Sequence, residues 1–339
     1  MHFLFTKKIL CSIIKKITDE VTFMYIGIDL GGTNIAVGLV NASGELIATD
    51  STPTLASRSF EEIVKDMITV SERIVEKAGF SMSDVKGIGI GCPSAVDNST
   101  GEVVYTANIP SFRNIPLAKE IQKYYDIPVT LENDANAAAL GEYAVNGENA
   151  SVFIAVTLGT GIGGGIILDG KIFRGSNGAG TEIGHIPLVF NGISCNCGRK
   201  GCWEVYASVT GLVNQTKVAI AKHPESLMKK IADERGTVNG RTAFDAAKKG
   251  DAIAQEVVDK YIEYVADGLV GVINIFQPEK LVISGGISKE GEYLINPIID
   301  YVRKYDFNKF FKPVKIEPAK LLNDAGIIGA AMAAKNMDL

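Results

Sequence analysis

Apolar residues alternate over residues 25–30, break at Gly31-Gly32-Thr33-Asn34 and resume over 35–40, a spacing that predicts strand, glycine turn, strand. The same order returns at 153–158, Gly159-Thr160-Gly161 and 162–168, so the chain carries an internal repeat. In the first half, helical periodicity covers residues 60–77, short strands are predicted at 85–91 and 128–131, and an alanine-rich helix starts at Ala135. In the second half, 208–221 and 252–276 read as helices, 281–283 as a buried strand and 325–334 as a final helix. The alternation predicts an α/β fold in two lobes. Residues 24–135 form the smaller, with the helix at 323–336 packing back on it, and 136–322 form the larger. No Pro/Ser-rich stretch intervenes. The lobes are therefore expected to join directly, near Asn136 and again near Leu322, through a hinge, with both glycine turns facing a shared cleft.

Composition narrows the functional classes. In 339 residues, 46% hydrophobic against 22% charged excludes intrinsic disorder, and from Tyr25 onward no apolar run is long and charge-free enough to span a bilayer. A net charge of -5, without clustered Lys and Arg, argues against a nucleic-acid partner. Cys11, Cys92, Cys195, Cys197 and Cys202 are odd in number and unevenly spaced, unlike a secreted disulfide framework, which points to a reducing, cytoplasmic setting. Residues 1–23 do not read as a secretory signal, because Lys7, Lys8, Lys15 and Lys16 interrupt the apolar stretch. Leu10, Ile13, Ile14 and Ile17 fit a basic membrane-surface helix. The plainer reading is an extension ahead of a translation start at Met24, and no membrane partner is expected.

Chemistry concentrates where glycines meet acids. Asp29-Leu30-Gly31-Gly32-Thr33-Asn34 sets a carboxylate at a strand end beside a turn free of bulk, suited to cradling phosphates, with Asp29 holding Mg²⁺ directly or through water. An ordinary glycine hairpin is the plain alternative. Gly159-Thr160-Gly161-Ile162-Gly163-Gly164 contains a G-x-G-x-x-G string, but the apolar run after it is strand-like and opens no helix, which sets a dinucleotide site aside in favour of a second phosphate clamp. Together the two turns would close on a nucleoside triphosphate. Ser284-Gly285-Gly286 would lie flat against a nucleobase, or serve simply as a strand-to-helix turn. At Glu132-Asn133-Asp134-Ala135-Asn136, where a strand hands over to a helix, Asp134 is either an N-cap or the general base for a hydroxylated substrate.

His185, Cys195, Cys197 and Cys202 supply the ligand set of a closed, structural Cys₃His zinc site. A rigid knuckle there would fix Glu182 and Glu204, which flank it, as grips for sugar hydroxyls. Trp203 and Cys92 are assigned to packing.

With these motifs in this order, most specifically Glu182-Ile183-Gly184-His185 followed by Cys195-Asn196-Cys197-Gly198-Arg199-Lys200-Gly201-Cys202-Trp203-Glu204, the chain resembles the ROK family of bacterial sugar kinases and sugar-responsive repressors. The resemblance runs from Met24 to about the C-terminus. It implies a two-lobed, actin-like (ribonuclease-H-like) ATPase fold with an interlobe cleft. It also implies Asp134 as base, and Asn133, Glu182, His185, Glu204 and, in Ala107-Asn108-Ile109-Pro110, Asn108 as sugar contacts. His185 would then serve both zinc and sugar. Ser94, after Cys92-Pro93, departs from the family's usual glycine. Residues 1–23 are too few for the three helices of a repressor's DNA-binding domain. The implied activity is transfer of the ATP γ-phosphoryl to the 6-hydroxyl of glucose, with Mg²⁺, by a homo-oligomer. Fructose, N-acetylmannosamine and allose are the alternative sugars, and a non-catalytic sugar sensor is the reading from another class.

Overall fold

The computed structural model describes residues 23–338 except Ser94, Ala107 and Glu148, so the expectations for residues 1–22 and for the Ser94 departure lie outside the described residues. The chain forms two compact units. One comprises residues up to Asn146, Arg174–Gly180 and Asn323 onward, and the other Gly147–Phe173 and Thr181–Leu322.

The first unit begins with β1 (Met24–Leu30), β2 (Asn34–Asn41), β3 (Leu46–Pro53) and helix α1 (Phe60–Lys77), followed by β4 (Val85–Cys92). A small antiparallel sheet of β5 (Ala95–Asp97), β6 (Glu102–Tyr105) and β7 (Arg113–Ile115) precedes helix α2 (Leu117–Gln122) and β8 (Val129–Asn133), after which helix α3 (Asp134–Asn146) begins. The main sheet has the order β3-β2-β1-β4-β8, with β1, β4 and β8 parallel. Helix α1 starts where Ser59 and Glu62 form a reciprocal capping box, and its buried stripe of Ile63, Met67, Val70 and Ile74 packs on β2 and β3.

In the second unit, β9 (Val152–Leu158), β10 (Ile162–Leu168) and β11 (Lys171–Ile172) are followed by α4 (Trp203–Ala207), α5 (Val209–Lys222), α6 (Leu227–Arg235), α7 (Thr242–Ala247) and the long α8 (Ala252–Phe276). β12 (Lys280–Ser284), α9 (Glu292–Tyr305) and β13 (Lys315–Pro318) complete it, giving the sheet order β11-β10-β9-β12-β13. Strand for strand this matches the first sheet in order and in direction, antiparallel on one side and parallel on the other. The repeat in the sequence is thus a repeat of topology. Both sheets are open, the plan of the actin-like fold. Fully buried Trp203, Phe244 and Tyr261 anchor the helical layer of the second unit.

The last helix, α10 (Ala325–Lys335), belongs to the first unit, where it packs on α3, β1 and β4. Glycine makes that approach feasible. A Cβ on Gly89 would lie 1.8 Å from the carbonyl oxygen of Ala330, and one on Gly329 would lie 1.6 Å from that of Ala137. Gly89→Ala should therefore push α10 off the sheet and destabilise the protein by about 3 kcal/mol, measured by denaturant unfolding. An unchanged midpoint would mean that the helix sits loosely. The same packing moves the first crossover. It was expected near Asn136, but α3 is held to α10 along its length, and the chain leaves the first unit only after Asn146. It returns briefly at Arg174–Gly180, an excursion that the sequence pattern does not signal.

Candidate functional site

Parallel pairing of β1, β4 and β8 brings their carboxyl ends to one edge, where Asp29 lies opposite Gly91, and Gly91 opposite Glu132. This is the edge at which open α/β sheets place ligands. The next residues are Asn133 and Asp134, and the structure separates their roles. The Asn133 Oδ1 accepts the backbone N–H groups of Ala135 at 3.0 Å and Asn136 at 3.3 Å, which makes Asn133 the helix cap. The cap reading of Asp134 is corrected accordingly: Asp134 is the first helical residue, and its Oδ1 accepts the adjacent Ala135 N–H at 2.8 Å.

Burial raises the Asp134 carboxyl above its ordinary range, against lowering by the Ala135 N–H and the Asn133 side chain. Asp29 is pushed up to about 6, first by burial and then by the charge of Asp134. The two acids therefore feel each other in a poorly hydrated place. Gly326, at the start of α10, stands close enough that a Cβ there would lie 3.0 Å from the Asp29 Oδ2.

The Gly31–Asn34 turn closes through the Gly31 N–H on the Asn34 carbonyl at 2.9 Å. Buried Thr54 fastens it from behind: its hydroxyl donates to the Gly31 carbonyl at 2.6 Å and its N–H to the Thr33 carbonyl at 3.0 Å. A Cβ on Gly32 would come within 2.9 Å of the Asn108 Cβ, so glycine admits exposed Asn108 to the turn. Asp29, Gly31, Gly32, Thr33, Asn34, Asn108, Asn133 and Asp134 all belong to this unit. Thr54 was not foreseen, since nothing local distinguishes it from other threonines.

In the second unit the Gly159-Thr160-Gly161 turn joins antiparallel β9 and β10 and opens no helix, which removes the dinucleotide alternative. The N-terminus of α5 holds the turn, with the Val209 N–H on the Gly159 carbonyl at 2.9 Å and the Thr210 hydroxyl on the Thr160 carbonyl at 2.7 Å. Glu204, on α4, points its Oε2 at the same turn and accepts the Ile162 N–H at 2.9 Å; a Cβ on Gly161 would stand 2.3 Å from that oxygen. Gly285, with φ +94°, follows β12 against the Leu158 carbonyl, while Gly286 faces open space. The glycines at 159, 161, 285 and 286 thus gather at one end of β9 and β12.

His185 ends the short turn Ile183–His185, which exposed Glu182 precedes. The cysteine loop is shaped by its own backbone: the Cys195 N–H donates to the Arg199 carbonyl at 2.8 Å, the Gly201 N–H to the Ile193 carbonyl at 2.8 Å, and Gly198 adopts φ +89°. The ligand atoms of His185, Cys195, Cys197 and Cys202 all lie within 4.8 Å of one another. The Cys195 Sγ to His185 Nδ1 distance is 3.7 Å and the Cys197 to Cys202 Sγ distance is 3.6 Å, close to the edge of a tetrahedron built on zinc–sulfur bonds of about 2.3 Å. The donor set fits zinc, and with Nδ1 toward the thiols the ring's Nε2 is left for a second partner. Cys202 is the N-cap residue of α4, and the next residue, Trp203, is fully buried with its indole N–H on the Tyr264 carbonyl at 2.8 Å. A rigid path therefore leads from the knuckle through α4 to Glu204 and the glycine turn.

Among the described residues no helix is long and apolar enough to cross a membrane. Residues 25–337 match the ROK family. The glucokinase of Thermotoga maritima is 37% identical over 311 residues, 91% of this chain and 96% of that protein. A ROK family glucokinase from Streptomyces griseus, solved in complex with glucose and AMPPNP, superposes with a TM-score of 0.76 at 34% identity, covering 92% of this chain and 99% of that one. The xylose repressor of Caldicellulosiruptor bescii is 31% identical over 316 residues, 92% of this chain and 78% of that protein.

Proposed function

The chain belongs to the ROK family as one of its sugar kinases, and from that premise we propose that it phosphorylates glucose at the 6-hydroxyl, consuming ATP and releasing ADP. The observation that carries this reading is the pair of half-buried carboxylates, Asp29 and Asp134, both pushed up by partial burial, at the strand ends beside a turn without side-chain bulk. Phosphoryl transfer asks little covalent chemistry of a protein and much positioning. In this reading Asp134 accepts the proton of the attacking hydroxyl, a task suited to a carboxylate whose affinity for protons is raised. Asn108, Asn133, Glu182, His185 and Glu204 orient the sugar. Gly31, Gly32, Thr33 and Asn34 hold phosphate oxygens, as do Gly159, Thr160 and Gly161, and Gly285 and Gly286 bound the base. Asp29 would hold Mg²⁺, which supplies charge compensation on the phosphates when bound.

A coupled ADP-release assay over glucose, fructose, N-acetylmannosamine, allose and xylose tests the proposal. Glucose should give the highest kcat/KM. A preference for another sugar would reassign the substrate, and sugar binding without turnover would make the protein a sensor. The zinc assignment is checked separately: metal analysis should find about one zinc per chain. Cys197→Ser should lower that content and raise the sugar KM, because Glu204 loses its support through α4. Full activity in wild-type protein stripped of zinc would end the assignment.

A further inference from the structure

Glu132 is 1% exposed and has no part in the reading above, yet its carboxylate is the most heavily engaged group near the strand ends. Its Oε1 accepts the Asn133 N–H at 3.1 Å and the Asn136 amide at 3.1 Å. Its Oε2 accepts Arg174 twice, from Nε at 2.8 Å and Nη2 at 2.6 Å, and the Asn98 amide at 3.4 Å. Asn98 also donates to the Leu131 carbonyl. The acid is thus clamped between the cap of α3 on one oxygen and a guanidinium fork on the other. Arg174 arrives from far along the chain, at the head of the excursion Arg174–Gly180. That loop is tied at its own ends by the Gly180 N–H on the Arg174 carbonyl at 2.9 Å, and Gly178, at φ +80°, lies against the Val96 carbonyl. A buried carboxylate that loses its cation is strongly destabilised, and here the strain would fall on the two residues that follow it.

We propose that Arg174 is a positioning residue for phosphoryl transfer: its two-pronged contact with Glu132 fixes the Asn133 cap, and through it the direction of the Asp134 carboxylate. This rests on the assignment of Asp134 as base. A misplacement of about 1 Å can cost a hundredfold in rate, so Arg174→Ala should lower kcat by about 10- to 100-fold with the KM for ATP within about twofold of wild type. The Arg174 side chain is 37% exposed, so the truncated site opens to solvent. Guanidinium at about 10 mM, well below denaturing levels, should then restore kcat saturably, whereas urea, equal in shape and neutral, should not. Arg174→Lys, which keeps the charge without the fork, should fall between the two and guards against a misfolded alanine variant.

Hydrogen exchange over residues 130–137 reads the same clamp without turnover. Exchange there should rise in Arg174→Ala and fall again with guanidinium. Wild-type kcat together with unchanged exchange in Arg174→Ala would overturn the proposal, as would a rate loss that urea repairs as well as guanidinium. Absence of turnover in the wild-type protein with every sugar would instead remove the kinase reading, an outcome that the exchange measurement keeps apart.

Discussion

Asp134→Asn should lower kcat by about a hundredfold or more and leave the sugar KM nearly unchanged. The substitution keeps the Oδ1 that accepts the Ala135 N–H, and the cap of α3 belongs to Asn133, which is untouched. What disappears is the basic oxygen. A negative charge in the first turn of a helix is worth about 0.3–1 kcal/mol, but burial already disfavours that charge here, so the unfolding midpoint should hardly move. Single-turnover and steady-state assays with glucose measure the loss. A variant with near wild-type kcat would leave proton acceptance to the phosphate or to water and reduce Asp134 to an ordinary first-turn acid.

Asp29→Asn should do two opposed things, abolishing most activity while making the apo protein more stable at neutral pH. Burial and the charge of Asp134 push the folded carboxyl up to about 6, against 3.8 for an ordinary aspartate. Below pH 3.8 both folded and unfolded chains hold the proton, and no difference arises. Between the two values the unfolded chain ionises first, so the stability present in acid is lost as pH rises through about 6. By pH 7 the ionised Asp29 costs at most about 3 kcal/mol, at 1.36 kcal/mol for each pH unit. Thermal unfolding should therefore show Asp29→Asn ahead of wild type at pH 7.5 and level with it at pH 4. Mg²⁺ should raise the wild-type midpoint and leave the variant's unmoved, since a cation beside Asp29 offsets the cost. Equal midpoints at pH 7.5 would mean that the ionised Asp29 carries no burial cost, and an Mg²⁺ response in both proteins would take the metal away from Asp29.

These acids and the glycine turns beside them were legible because their signals are local. Alternation ends at a glycine run, a strand gives way to alanine, and three cysteines crowd behind a histidine. Helix α8 was read with the same limits the structure gives it, since 25 residues of apolar periodicity leave little ambiguity. The helix predicted over 208–221 is found as α5 within a residue at each end, its start fixed by the Ser208 side chain, which accepts the Gly211 N–H, whereas the one-turn α4 just before it was not anticipated. The strands that were not anticipated are β3, β6 and β13 and the very short β5, β7 and β11. Strands of two or three residues are too short to display a period. Arg174 could not be found from the sequence, because its partner lies 42 residues away and pairing of that kind leaves no spacing to read. The capping role of Asn133 was hidden for the opposite reason: two adjacent residues with equal capping preference differ only in backbone geometry.

The place of α10 bears on how the protein is made. The first unit's sheet is finished by Asn133, yet Gly27, Gly89 and Gly141 stay uncovered until residues 325–335 are available to close over them. During vectorial synthesis on the ribosome, the second unit has all its strands once Pro318 has emerged, while the first, though translated earlier, waits for the last helix. The part of the protein that holds Asp29 and Asp134 is thus completed only after residues 325–335 have emerged, later than every strand of the second unit.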